Sequence, residues 1–86
     1  MLARDSVDAA VVIGDYLRVR FPALASPPMT EETPLLDGGA IDSLGILELM
    51  TFLGERFGIE IAGEDFDPDN LETLGKLAQF VERKRS

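Results

Sequence analysis

The chain has 86 residues and a formal charge of −8, from 16 Asp and Glu against 8 Lys and Arg, with no Cys and no His. This length holds one domain with a modest core rather than a catalytic domain with a lid. The missing thiols and imidazoles exclude disulfides, thiolate nucleophiles, the commonest general base and the usual zinc ligands, while the acidic surface disfavours nucleic acid and anionic membranes and favours partners with Lys and Arg patches.

In chain order, the first predicted helix takes Asp5 or Ser6 as its N-cap and runs to about Arg20, because Val7, Ala10, Val11, Leu17 and Phe21 recur at helical spacing. The apolar run from Ala9 to Ile13 is hemmed in by Asp5, Asp8 and Asp15, so it fits neither a signal segment nor a spanning helix; the expectation is a cytoplasmic monomer. Pro22 stops the helix, and Pro27, Pro28 and Pro34 keep a long connection irregular as far as the turn at Asp37, Gly38 and Gly39. A loop of such length has to be pinned or functional. Leu35, Leu36 and Ile41 are the candidate pins.

The second helix begins at Asp42 or Ser43 and carries Ile46, Leu49, Met50, Leu53 and Phe57 on a stripe wide enough to bury, with Gly58 as its C′ residue. Burial of such side chains contributes roughly 1.5–3 kcal/mol each, which outweighs the cost of about 1 kcal/mol for Gly54 inside the helix. Ile59 and Ile61 read as core anchors in an extended connector, and Asp67 before Pro68 reads as the cap and first residue of a short turn ending near Asn70. Thr73 caps a last helix in which Leu74, Leu77, Ala78 and Val81 share a face, with Arg83, Lys84 and Arg85 at its negative end for reasons of dipole and solubility. There is neither a repeat nor a sheet pattern. Residues 1–86 are therefore expected to form a single all-α domain, a four-helix bundle with a long first loop and a short third helix.

Ser43 carries the chemistry. It stands at a helix start after a glycine-rich turn, between Asp42 and Leu44. Unpaired amides and the positive end of the helix dipole favour an anion esterified there, and the preceding loop leaves the hydroxyl within reach of another enzyme. Taken alone, the same residues are also explained as an ordinary helix cap.

The segment Leu36-Asp-Gly-Gly-Ala-Ile-Asp42-Ser43-Leu44, followed by Glu48-Leu49, by Phe57-Gly58-Ile59-Glu60-Ile61 and by Thr73-Leu74, resembles the acyl and peptidyl carrier protein family over nearly the whole chain. The resemblance implies covalent attachment of 4′-phosphopantetheine from coenzyme A to Ser43 by a separate magnesium-dependent phosphopantetheinyl transferase. It implies further that the arm's thiol holds acyl or aminoacyl cargo as a thioester, loaded by a ligase and consumed by downstream transferases with basic docking patches. The chain would then be a carrier and not an enzyme, in keeping with a serine that has no histidine to activate it. Asp42 corresponds to the family's acid before the serine, Leu44 to its partner-facing leucine, and Glu48 to an acid further along the helix. Two departures, Gly45 where fatty-acid carriers have a second acid and Ala62-Gly63 in place of a proline-containing turn, point to a specialised pathway rather than primary fatty-acid synthesis.

Leu44, Glu48, Thr51 and Glu55 form a second stripe on the same helix, read as a docking face together with Asp42, against the alternative of a solvated face. Asp65, Asp67 and Asp69 have the spacing of calcium-loop ligands, but Asn70 stands where glycine is needed and Lys76 where the closing glutamate belongs, so no metal site is expected. The rival from another class is an unmodified acidic helical adaptor. A hydrolase built on Ser43 lacks a base and an orienting histidine.

Overall fold

The chain was analysed as a computed structural model that describes residues 9–25, 29–36, 39 and 41–85. Four α-helices follow one another among them: α1 (Ala9–Arg20), α2 (Ser43–Phe57), α3 (Pro68–Leu71) and α4 (Leu74–Arg85), with 3-10 turns over Pro22–Ala25 and Gly63–Phe66. The all-α bundle with a short third helix is the architecture expected from the periodicity. The expected cap of the first helix at Asp5 or Ser6, and Val7, lie outside the described residues.

In α1 the buried face comprises Ala9, Ala10, Ile13 and Leu17, continued by Phe21. Val11, placed on the buried stripe by sequence spacing, is instead 58% exposed, because it lies about 120° round the helix from Leu17, at the middle of the buried face. Pro22 ends the α-helix as expected, yet the chain does not become irregular at once: it tightens into a 3-10 turn, which Pro at the first position tolerates.

The long connection is pinned as its leucines suggested. Leu35 and Ile41 are buried and Leu36 packs on the core. Backbone bonds add to this: Leu35 N donates to Glu72 O at 3.0 Å, Leu74 N to Thr33 O at 3.3 Å, and Gly75 N to Glu31 O at 2.8 Å. The first two bonds surround an isolated bridge between Pro34 and Thr73, strand-like pairing that no sequence alternation announces.

In α2, Leu49, Met50 and Leu53 are fully buried, whereas Ile46 and Phe57 are partly buried and pack on the core. Phe57 lies toward the surface, where the guanidinium groups of Arg56 and Arg85 sit 5.6 and 5.5 Å from its ring centroid. Gly58 closes the helix in the left-handed region at φ 65°, and Ile59 N donates to Gly54 O at 3.2 Å, an arrangement that a residue with a Cβ disfavours. Ile59 and Ile61 lean on the core. Asp67 caps α3 through Asp69 N at 2.9 Å with Pro68 at the first position; the helix ends one residue beyond Asn70, at the buried Leu71.

Thr73 Oγ1 accepts from Lys76 N at 3.1 Å and so caps α4. This helix buries Leu74, Leu77, Phe80 and Val81, while Ala78 is half-buried. Phe80, missed in the sequence stripe, is among the largest fully buried side chains. No helix among the described residues is long and apolar enough to cross a membrane.

Candidate functional site

The site begins with a helix cap. Asp42 is extended (φ −93°, ψ −174°) and its Oδ1 accepts from Gly45 N at 2.7 Å, while its carbonyl accepts from Ile46 N at 2.9 Å. The cap thereby makes Ser43 the first helical residue, exposed on the surface. The amides of Ser43 and Leu44 belong to the first turn, which has no intrahelical carbonyl to bond, so donors and the positive end of a four-turn dipole lie beside the Ser43 hydroxyl. Just upstream, Gly39 takes φ 71°, a left-handed conformation that glycine adopts without steric cost.

Gly45 has a packing role. A Cβ there would lie 2.9 Å from Phe21 Cε1 and 3.0 Å from both Phe21 Cζ and Ile41 Cγ2. The last turn of α1 thus abuts the first turn of α2, and the residue read from sequence as a missing acid is a glycine because an aromatic ring occupies the space of its side chain.

Beside Ser43 runs a groove of about 290 Å³ lined by Ser43, Ile46, Leu47 and Phe66. It is too small for a drug-sized ligand but offers an attached arm an apolar bed. Phe66 comes from the 3-10 turn, which is fastened by Asp65: its carboxylate accepts from Ala62 N at 2.8 Å and pairs with Lys84 Nζ at 2.9 Å. The amide of Ala62 and then the Lys84 ammonium hold the Asp65 carboxyl below the usual carboxylate range. Arg83 Nη2 also donates to Asn70 Oδ1 at 3.0 Å, and Asn70 Nδ2 to Asp65 O at 3.2 Å. The basic end of α4, read from sequence as dipole and solubility alone, therefore fastens the segment that walls the groove. Exposed hydroxyl, free amides and apolar bed together fit a phosphopantetheine arm.

The other sequence candidates share one surface. Leu44, Glu48, Thr51 and Glu55 are all exposed along α2, spaced so that they fall on one face. Leu44 is 69% exposed, and Leu47, missed in the sequence, is 52% exposed; its signal was an apolar residue off the buried stripe. Thr51 Oγ1 donates to Leu47 O at 2.8 Å, so this hydroxyl is engaged with its own helix. Glu48 forms an ion pair with Arg20 of α1. Behind it, Tyr16 stacks on Phe52 with centroids 4.1 Å apart; burial, and secondarily the Glu48 charge, push the Tyr16 hydroxyl above its ordinary pKa.

Comparison with known proteins agrees with this geometry. Residues 10–81 match the family described as phosphopantetheine attachment site. Among curated relatives, the acyl carrier protein of Thermotoga maritima is 30% identical over 56 residues, covering 65% of this chain and 67% of the relative. The D-alanyl carrier protein of Streptococcus pyogenes serotype M5 is 40% identical over 48 residues, covering 56% of this chain and 61% of the relative, less than two thirds of its length. The chain belongs to the phosphopantetheine-attachment family, non-catalytic carrier proteins that hold 4′-phosphopantetheine covalently and work with enzymes for loading and transfer.

Proposed function

We propose that Ser43 is the residue esterified by phosphopantetheine and that the chain works as a single carrier domain, its one continuous core supporting the latter. The observation that carries the site assignment is the exposed Ser43 at the first position of α2, beside the groove formed with Ile46, Leu47 and Phe66. The hydroxyl oxygen bonds to the pantetheine-bearing phosphorus of coenzyme A as the pyrophosphate bond to the nucleotide breaks, the adenosine bisphosphate leaves, and the hydroxyl proton passes to a base on the transferase, since this chain has no histidine or cysteine to receive it. The attached group supplies a thiol that holds cargo as a thioester. Asp42 fixes the helix start, the α2 amides stabilise the phosphodiester charge, and Leu44 with Leu47 gives a partner an apolar contact flanked by Glu48 and Glu55.

Incubation with coenzyme A, magnesium and a promiscuous phosphopantetheinyl transferase is expected to add one phosphopantetheine mass, and Ser43→Ala to abolish the addition without loss of helicity. Leu44→Ala should slow the transfer with the melting temperature unchanged. A mass increase persisting in Ser43→Ala would refute the site, and no increase in the wild type would favour an unmodified adaptor.

For cargo, the higher identity to D-alanyl carrier proteins supports loading by an adenylating ligase in a specialised pathway over fatty-acid elongation. Gly45 no longer bears on this choice, since packing under Phe21 accounts for it. Identification of the thioester on protein purified from its host decides between them; elongating fatty-acyl chains would overturn the ligase reading.

A further inference from the structure

The close contact of α1 with α2 brings a cation onto the surface read as the docking face. Because Gly45 lets the Phe21 ring sit where a side chain would be, the last residue of α1 is carried against the exposed side of α2. There Arg20 pairs with Glu48 and lies over the Phe21 ring, 5.5 Å from its centroid. It borders two grooves at once, one reaching Asp42 and Leu44 and the other reaching Thr51 and Glu55. Four other basic side chains of the helices are paired away from this face, Arg18 with Asp15, Arg83 with Asn70, Lys84 with Asp65 and Arg85 with Glu82, and Arg56 of α2 lies over the Phe57 ring.

We infer that Arg20 is a specificity-determining residue, an internal counter-ion that occupies Glu48 in the free carrier and must be displaced by the Lys or Arg of a partner that docks through Glu48. The inference rests on the docking-face reading of α2. About half of each side chain is exposed, 51% for Arg20 and 47% for Glu48, so the pair is open to competition and its strength is that of a surface ion pair. Its consequence is selective. Partners that rely on a basic residue against Glu48 lose attraction, whereas partners that engage mainly the apolar Leu44 and Leu47 lose little. Arg20 thus lowers the response of a strongly acidic protein to basic enzymes at one chosen point on its surface.

The test measures kcat/KM for modification by a phosphopantetheinyl transferase with a basic docking groove, across ionic strength, for wild type, Arg20→Gln, Arg20→Lys, Glu48→Gln and the Arg20→Gln/Glu48→Gln double variant. At low salt, Arg20→Gln should raise kcat/KM about two- to five-fold, the equivalent of one surface ion pair. The gain should lie in KM and fade by about 0.5 M salt as screening shortens the reach of the charges. Arg20→Lys should stay near wild type, Glu48→Gln should fall below it, and the double variant should match Glu48→Gln, because without Glu48 there is nothing to unmask. An unchanged or lowered rate for Arg20→Gln, with Glu48→Gln still slow and melting temperatures preserved, overturns the inference alone. A gain that persists in the Glu48→Gln background assigns the effect to net charge and also overturns it. A Glu48→Gln rate equal to wild type at low salt removes the docking reading and the inference together.

Discussion

Replacing a helical glycine by alanine should change stability in opposite directions at two positions of this chain. In a helix interior Ala is favoured over Gly by about 1 kcal/mol, partly because the unfolded chain loses freedom. Gly14 in α1 can realise that gain: its Cβ would meet Leu74 Cδ2 at 3.6 Å and Arg18 Nη1 at 3.7 Å, ordinary contact distances. Gly45 cannot. Its Cβ would press on Phe21 at 2.9 and 3.0 Å and on the branched Ile41 at 3.0 Å, and neither is free to swing aside. Phe21 and Ile41 are buried, and Tyr16 meets the Phe21 ring edge-on at 6.4 Å. Overpacking of this kind costs roughly 1–3 kcal/mol, which exceeds or cancels the propensity gain and leaves a net loss of up to about 2 kcal/mol. Since 1 kcal/mol moves the midpoint of a domain of this size by about 4–8 °C, Gly14→Ala should melt several degrees above wild type and Gly45→Ala several degrees below, as followed by circular dichroism at 222 nm. A Gly45→Ala protein that melts above wild type, as Gly14→Ala should, would refute the packing account of Gly45 and reopen its reading as a missing surface acid.

Two further outcomes follow from the core and from the turn that carries Phe66. Leu53→Ala, at 0% exposure, should cost about 2–5 kcal/mol in urea denaturation; Phe57→Ala should cost less, because Phe57 is only partly buried. Asp65 has a depressed carboxyl pKa in the folded state, so its contribution is present above its unfolded value near 3.9 and is lost as pH falls through the lower folded value. Wild type should therefore exceed Asp65→Asn in urea midpoint at pH 6, with the gap narrowing as the pH falls below the unfolded value; a gap constant with pH would mean that charge at Asp65 contributes nothing.

The helices were legible where apolar period and capping residue coincide. Asp42 and Thr73 each precede an apolar stripe and each caps the helix observed. The burial of Leu49, Met50 and Leu53 follows from the same spacing. Period alone misplaced Val11, which fits the stripe as well as Ile13 does until the α1 contact with α4 selects the phase. Phe66 was hidden because its position depends on a 3-10 turn held by Asp65, whereas the sequence showed there only acids at calcium-loop spacing and a cap at Asp67-Pro68. Arg20 left no signal at all, since its pairing with Glu48 is a product of how two helices cross. Gly45 was visible but misread: a sequence shows that a side chain is missing and not what fills its place.

The three backbone rungs between the first loop and the start of α4 join positions about forty residues apart, a closure that costs roughly 3 kcal/mol of chain entropy once. After the first rung forms, the other two add bonds with little further loss. Such a clasp behaves as a unit, fastened or open, so the loop that delivers the chain to Ser43 and the helix that holds Phe66's turn in place are thermodynamically one piece. The loop ahead of Ser43 is thereby guarded against piecemeal fraying: a pull on its fastened residues Glu31, Thr33 and Leu35 is borne by the whole bundle rather than by the loop alone.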